Sequence, residues 1–207
     1  MTEKKLLVPG DMVLNKRAFI ANTYVENEMT YASVIGMLDE EGRFIPLELR
    51  YKPLREDVLV GVVSDVKHAG YVVDINLPET AFISNKDFVK TLRPGDIVCC
   101  KVGDVDETGG VDFMEIKSLP PGKVIRFPPA KVPRLIGRKS SMITLIREKV
   151  EGDIIVGNNG YVWIEDKANI PLALAACNLV IKRAHTSGLT DGMAQFLTTY
   201  KNTQTGE

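Results

Sequence analysis

One change of apolar period divides this chain. Up to Ser118 the apolar residues sit in short β-branched and aromatic runs broken by turn residues, and beyond Pro128 many of them fall at helical spacing. No single barrel or helix bundle accommodates both patterns. The sequence is therefore read as mainly β and multidomain, with two small β-units followed by an α+β unit. Its 207 residues allow two to three small domains.

The first unit, residues 1–56, opens with LLVPGDMVL, an apolar run cut by a Pro-Gly turn. TYASVIGML follows as a β-branched, aromatic stretch, and DEEGRFIPL supplies a turn and a short strand. Nothing here proposes chemistry, and a small domain that docks on a partner or on its neighbour is the default. The second unit, residues 57–118, spells five strands: VLVGVVSDV, GYVVDI, TAFIS, DIVCCKVGDV and VDFMEIKSL. Gly61 inside the first suggests a bend or bulge. NKDFVKTL, with its Asn cap, predicts a small helix between the third and fourth. Five strands with a helix in that place, within roughly sixty residues, is the order of an OB barrel. In the third unit, residues 119–207, GKVIRF reads as a strand, and PPAKVPRLIG and MITLIREKVEG as helices. DIIVGNNGYVWIE is a hairpin, and NIPLALAACNLVIKRAHTSG a helix ending at Gly188. That is β-α-α-β-β-α.

The formal net charge of −1 conceals an asymmetry. Residues 57–118 carry six basic and eleven acidic groups, a net −5, whereas residues 119–207 carry twelve and seven, a net +5. Lys123 to Lys149 alone hold eight cations against Glu148. Such a segment is either an electrostatic footprint for a polyanion or a solvated helix face. At its centre lies LIGRKSSM. Gly137 lets the backbone approach a phosphate closely, Arg138 and Lys139 add charge, and the next helix offers free N–H groups. Ser140 and Ser141 have the alternative task of capping that helix. A Walker A loop is excluded, because no glycine stands at the required upstream position.

No apolar run is long enough to span a bilayer, and MTEKKLLVPGD lacks the apolar core of a signal peptide. A cytoplasmic protein without a membrane partner is expected. Cys99, Cys100 and Cys177 form no metal spacing and read as reduced thiols, so neither a metal nor a cofactor is expected. DVDETGGVDFME, Asp104 to Glu115, does fit a calcium-loop template, but that template needs a helix on either side. DIVCCKVG before it is strand-like and Pro120-Pro121 follow closely after it, so a hairpin with a solvated acidic tip is expected instead.

The third unit resembles a KH domain, whose G-x-x-G loop between the first two helices grips the backbone of about four nucleotides. Here that loop reads Gly137-Arg138-Lys139-Ser140, with serine in place of the last glycine. VLVGVVSDVKHAGYVVDI resembles the opening of the OB-fold domain named after ribosomal protein S1. VPGD, TYASVIG and YKPLREDVLVGVV look like the N-terminal domain of an archaeal exosome subunit, and VGNNGYVWI is similar to the G-x-N-G hairpin of its KH domain. The tail of a polynucleotide phosphorylase would carry KH before S1; here S1 comes first. Over nearly its whole length the chain resembles the S1/KH cap subunits of the archaeal RNA exosome.

The resemblance implies a non-catalytic subunit. It would sit on a hexameric ring of RNase PH-like subunits, three copies per ring, and guide the 3′ end of RNA into the pore for 3′→5′ phosphorolysis. It implies RNA contacts from Gly137, Arg138, Lys139 and Ser140, with Lys131 and Arg134 beside them. On the S1 face, where bases need aromatic platforms and nearby cations, the candidates are Lys67, His68, Tyr71, Phe82 and Lys101. That face departs from the usual pattern: Ala69 and Val72 stand where aromatics are expected, and Phe82 near where a histidine is common. Two alternatives stay open, a structural scaffold whose S1 and KH folds bind protein, and a calcium-binding protein through residues 104–115.

Overall fold

The computed structural model describes residues 5–204 except 21, 39–43, 48–50, 79, 87, 89, 107–109 and 185–187. The chain separates into two compact units, Met1–Arg50 and Tyr51–Glu207.

The first unit contains β1 (Leu6–Leu7), β2 (Met12–Leu14), β3 (Thr23–Glu26), β4 (Met29–Ala32), β5 (Gly36–Leu38) and β6 (Phe44–Pro46). They form two three-stranded antiparallel sheets, β1-β5-β6 and β2-β4-β3. TYASVIGML is thus not one strand but two, β4 and β5, in different sheets. Leu7, Val13, Ala32 and Phe44 make the small core. The buried Thr30 hydroxyl accepts from the Ala18 N–H and donates to the Lys16 carbonyl, which pins the connection between β2 and β3. The turn expected in DEEGRFIPL lies outside the described residues.

The second unit begins with a barrel built of β7 (Val58–Lys67), β8 (Gly70–Asp74), β9 (Ala81–Ser84), β10 (Ile97–Val105) and β11 (Val111–Ser118). They pair antiparallel in the order β11-β10-β7-β8-β9, a nearly closed sheet. Alternation sends Leu59, Val63, Tyr71, Val73, Ile83, Val98, Cys100 and Val102 into its core. Gly61 has a tighter reason than flexibility: a Cβ there would stand 2.4 Å from a Val73 methyl. The bulge lies just beyond it, between Val63 and Asp65. Over Asn85–Leu92 no described residue is helical, and Asp87 and Val89 lie outside the described residues. Cys99 and Cys100 do face opposite ways, and burial pushes the Cys100 thiol up to about 12. The calcium-like stretch is flanked by β10 and β11, paired through Asp104 and Asp112, rather than by helices. Thr108 and Gly109 of that stretch lie outside the described residues.

The α+β part follows with β12 (Gly122–Arg126), α1 (Val132–Ile136), α2 (Ser141–Val150), β13 (Ile154–Val156), β14 (Tyr161–Glu165), α3 (Ile170–Arg183) and α4 (Leu189–Gln204). Its sheet has the order β12-β14-β13. Met142, Ile143, Ile146 and Val150 line one face of α2 and join Leu135, Val162, Ile164, Leu172 and Ala176 in one core. Asn169 caps α3, its side chain accepting from the Leu172 N–H, with Pro171 in the first turn. The helix α4 follows the β-α-α-β-β-α succession as a further element. Leu189, Met193 and Leu197, four residues apart, bury it against α2 and α3. Among the described residues no helix is long and apolar enough to cross a membrane.

A seam joins the barrel to the α+β part. The β7–β8 pairing starts at Val62, so the first residues of β7 have no β8 partner. The turn Gly157–Gly160 fills that place. The Asn158 N–H donates to the Val58 carbonyl at 2.8 Å. The Asn159 side chain accepts from the Val60 N–H at 3.3 Å and donates to the carbonyls of Val60 and Ile75, both at 2.7 Å. Asn159 is fully buried, and the Asn76 amide donates to its carbonyl. Tyr161 and Trp163 of β14 pack on Val60, while Val162 and Ile164 point into the helical core. The asparagines thus serve the neighbouring barrel rather than only their own turn. Removing the Asn159 amide strands buried barrel groups, each costing about 1–3 kcal/mol. Asn159→Ala is therefore expected to lower stability by about 3 kcal/mol in denaturant unfolding. A loss under about 1 kcal/mol would contradict the seam's importance.

Candidate nucleic-acid interface

The loop between α1 and α2 carries the expected residues on an unusual backbone. Gly137 has φ +77°, and a Cβ on it would stand 2.7 Å from both the backbone N and the Cβ of Met142. Only glycine fits there. Lys139 (φ +49°) and Ser140 (φ +62°) both occupy the left-handed region, so the serine stands where glycine's freedom is wanted. The capping role open to Ser140 is not taken, because its side chain makes no cap hydrogen bond to α2. The Ser141 N–H that opens α2 donates to the Arg138 carbonyl, and the rest of the first turn of α2 lies close to the exposed Arg138 and Lys139.

The eight cations around the loop are not equivalent. Lys131 donates through Nζ to the Ile181 carbonyl at 2.9 Å, near the C-terminus of α3, so it caps a helix rather than facing solvent. Arg147 donates through Nε and Nη2 to the Ile154 carbonyl, tying α2 to β13. Arg126 lies beside the Tyr161 hydroxyl, which donates to Asp74 at 2.9 Å. Arg134, Arg138 and Lys139 are exposed at α1 and the loop, and form no ion pair among the described residues. Lys123, exposed on β12, and Lys149, half-buried on α2, complete the eight.

On the barrel the five expected residues divide. Phe82 is 48% exposed on β9, and its ring lies over Gly70, where a Cβ would come within 2.7 Å of it. His68 is exposed in the β7–β8 turn, whose backbone is held by Asn85 Nδ2 donating to the His68 carbonyl. Lys67 is exposed next to it, but its Nζ pairs with Asp65 at 2.5 Å. Phe82, His68 and Lys67 thus share one corner. Tyr71 does not join them: it points into the barrel core, 6% exposed, with its hydroxyl donating to the Lys90 carbonyl. Lys101 is clasped by Glu56 at 2.7 Å and Glu115 at 3.4 Å, and these carboxylates hold its ammonium above the ordinary lysine range. Alternation was the missed signal for Tyr71, which shares a face with the core residue Val73. No sequence signal marked Glu56 and Glu115 as partners of Lys101.

A KH domain family matches residues 122–169. The exosome complex component Rrp4 of Methanothermus fervidus is 32% identical over 213 residues, covering 94% of this chain and 96% of that protein. The exosome complex component Rrp4 of Pyrococcus abyssi is 34% identical and covers 94% of this chain and 82% of that protein. A crystal structure provisionally described as an exosome complex RNA-binding protein superposes with a TM-score of 0.66 at 31% identity, over 75% of this chain and 99% of the other.

A non-glycine residue in the left-handed region costs about 1–2 kcal/mol, partly offset by the extra chain entropy of glycine. Ser140→Gly is expected to stabilise the chain by about 0.5–1 kcal/mol in thermal or denaturant unfolding. A destabilised Ser140→Gly variant would show that the serine side chain has a structural role in the loop.

Proposed function

The chain belongs to the family of the exosome complex component Rrp4, and from that membership we propose that it is an RNA-binding subunit of an exosome complex. Its part is to bind and guide RNA, not to cut it. The observation that carries this reading is the solvent-facing rim of Gly137, Arg138 and Lys139 beside the α2 N-terminus, with Arg134 on the preceding helix. Those groups meet a phosphate backbone with charge and N–H donors and read no base, so the binding is tolerant of sequence. Ser140 forms the last position of that rim. A second contact comes from the barrel corner, where Phe82 offers a ring for stacking and His68 stands next to Lys67. A protein-only scaffold is less favoured, because the rim keeps three cations exposed to solvent that form no ion pair among the described residues.

We assign the first β-unit to docking on RNase PH-like ring subunits, three copies to a hexameric ring, in the cytoplasm. Two observations support docking. Among the described residues, eight of the twelve exposed large hydrophobics lie in this unit, from Leu6 to Leu47. Phe19, 88% exposed, has the Arg17 guanidinium 5.3 Å from its ring centre, an aromatic–arginine pair of the kind that anchors protein interfaces. RNA held on the S1 and KH surfaces of a ring-bound subunit is then positioned to thread its 3′ end into the pore for 3′→5′ phosphorolysis.

For single-stranded RNA each phosphate contact contributes about 0.7 to the slope of log affinity against log salt. Alanine at both Arg138 and Lys139 should reduce that slope by about 1.4 and weaken binding at low salt, measured by titration at several salt concentrations. An unchanged slope removes the loop from the RNA path. Phe19→Asp should abolish co-purification with RNase PH-like subunits while RNA binding by the isolated chain persists; retained co-purification would move the docking surface elsewhere.

A further inference from the structure

In the sheet β2-β4-β3 of the first unit, β3 lies at the edge and pairs with β4 alone. Asn27 and Glu28, both in the left-handed region, close the β3–β4 hairpin as a two-residue turn between Glu26 and Met29. In such a hairpin the closing pair exchanges hydrogen bonds, and alternation makes Tyr24–Tyr31 the next bonded pair. The Ser33 N–H donates to the Asn22 carbonyl at 3.0 Å, which keeps the same phase. Thr23 and Val25 therefore turn their backbone groups away from β4. The Ile20 carbonyl accepts the Thr23 N–H at 3.2 Å, and the Thr23 carbonyl and both backbone groups of Val25 have no partner among the described residues.

A trough of about 800 Å³ borders this edge. Both faces of β3 line it, Tyr24 from one and Thr23 and Val25 from the other, so it lies along the edge itself. Its other wall is the segment from Arg17 to Ile20. That wall is fixed: Thr30 Oγ1 ties Lys16 and Ala18, and the Ile20 carbonyl also accepts the Thr23 hydroxyl at 2.7 Å. Phe19 stands out of it, 88% exposed, and Tyr24 is stacked on Tyr31 with ring centres 5.5 Å apart. Resting on the docking reading of the first unit, we propose that the partner docks by strand addition: an extended segment of it pairs with the free edge of β3 and lays an apolar side chain between Phe19 and Tyr24. Two features select this occupant. A second peptide backbone carries the donor and acceptor that the outward groups of Val25 require, at the spacing of a strand, which a nucleic-acid backbone does not. The trough is walled by two aromatic rings that accept an apolar side chain. Because only Thr23 and Val25 face outward, main-chain pairing supplies little by itself, and that side chain gives the specificity.

The test is hydrogen–deuterium exchange of the full chain, read at single amides by mass spectrometry, free and bound to assembled RNase PH-like subunits. In the free chain the Val25 N–H should exchange faster than those of Tyr24 and Glu26, and in the complex it should slow by about tenfold or more. An unchanged Val25 rate overturns the proposal. Val25→Pro removes the outward donor at an edge position where proline is tolerated. It should weaken binding to those subunits about tenfold, whereas Val25→Thr, which keeps the N–H, binds as the unaltered chain does. If Val25→Pro binds normally while Phe19→Asp does not, strand addition fails and docking through this unit stands. If neither variant is impaired, both fail. A second copy seated on the same edge would protect Val25 in the free chain and register as a dimer in light scattering, which also overturns the proposal.

Discussion

The join between the barrel and the α+β part depends on one buried carboxamide, that of Asn159. The opening residues of β7 present N–H and C=O groups that β8 does not reach, and buried backbone groups of this kind must be paired. Asn159 pairs them by imitating a peptide unit, with an acceptor for the Val60 N–H and donors for two carbonyls. Such an approach leaves no room for side chains. A Cβ on Gly157 would stand 2.8 Å from the Val60 nitrogen, and one on Gly160 2.3 Å from the Phe127 carbonyl oxygen. The same contact makes β14 a strand buried on both faces, which accounts for the unbroken apolar run YVWI. Barrel and α+β part therefore behave as one body, and the α1–α2 loop is held in a defined relation to the barrel rather than on a flexible tether.

Charge near the loop is divided between architecture and recognition. Lys131 and Arg147 satisfy carbonyls at the end of α3 and on β13, where they replace water that burial has removed. Arg134, Arg138 and Lys139 keep their hydration and can exchange counterions for phosphates. The positive footprint is consequently smaller than a count of residues implies, since Lys131 and Arg147 are engaged with carbonyls. The loop backbone carries strain at Lys139 and Ser140, held in place by the well-packed helices on either side.

Much of this was legible before any coordinates. The succession of the five barrel strands along the chain and that of β-α-α-β-β-α follow from periodicity and turn residues, because both patterns are local. The hairpin at Asn158–Gly160 was legible as a turn, but its partner lies about a hundred positions upstream and nothing local names it. The division of TYASVIGML into β4 and β5 was hidden for the same reason: its two halves pair with different strands. The bounds of the last helix were not legible, because Leu189, Met193 and Leu197 make only a thin stripe that packs on α2 and α3.

For the site, residue type and position singled out the loop between α1 and α2. They did not separate free cations from engaged ones, nor a surface aromatic from a core one. Lys131 and Arg138 read alike in sequence, as do Tyr71 and Phe82. Chain order alone determined the three successive patterns and placed a glycine and two cations between two helices, since these rest on neighbours in sequence. Only the tertiary structure decided that Lys131 meets a helix end and that Lys101 lies between two carboxylates. Each of those outcomes depends on which distant backbone group or side chain arrives within hydrogen-bonding reach, and folding alone brings such groups together.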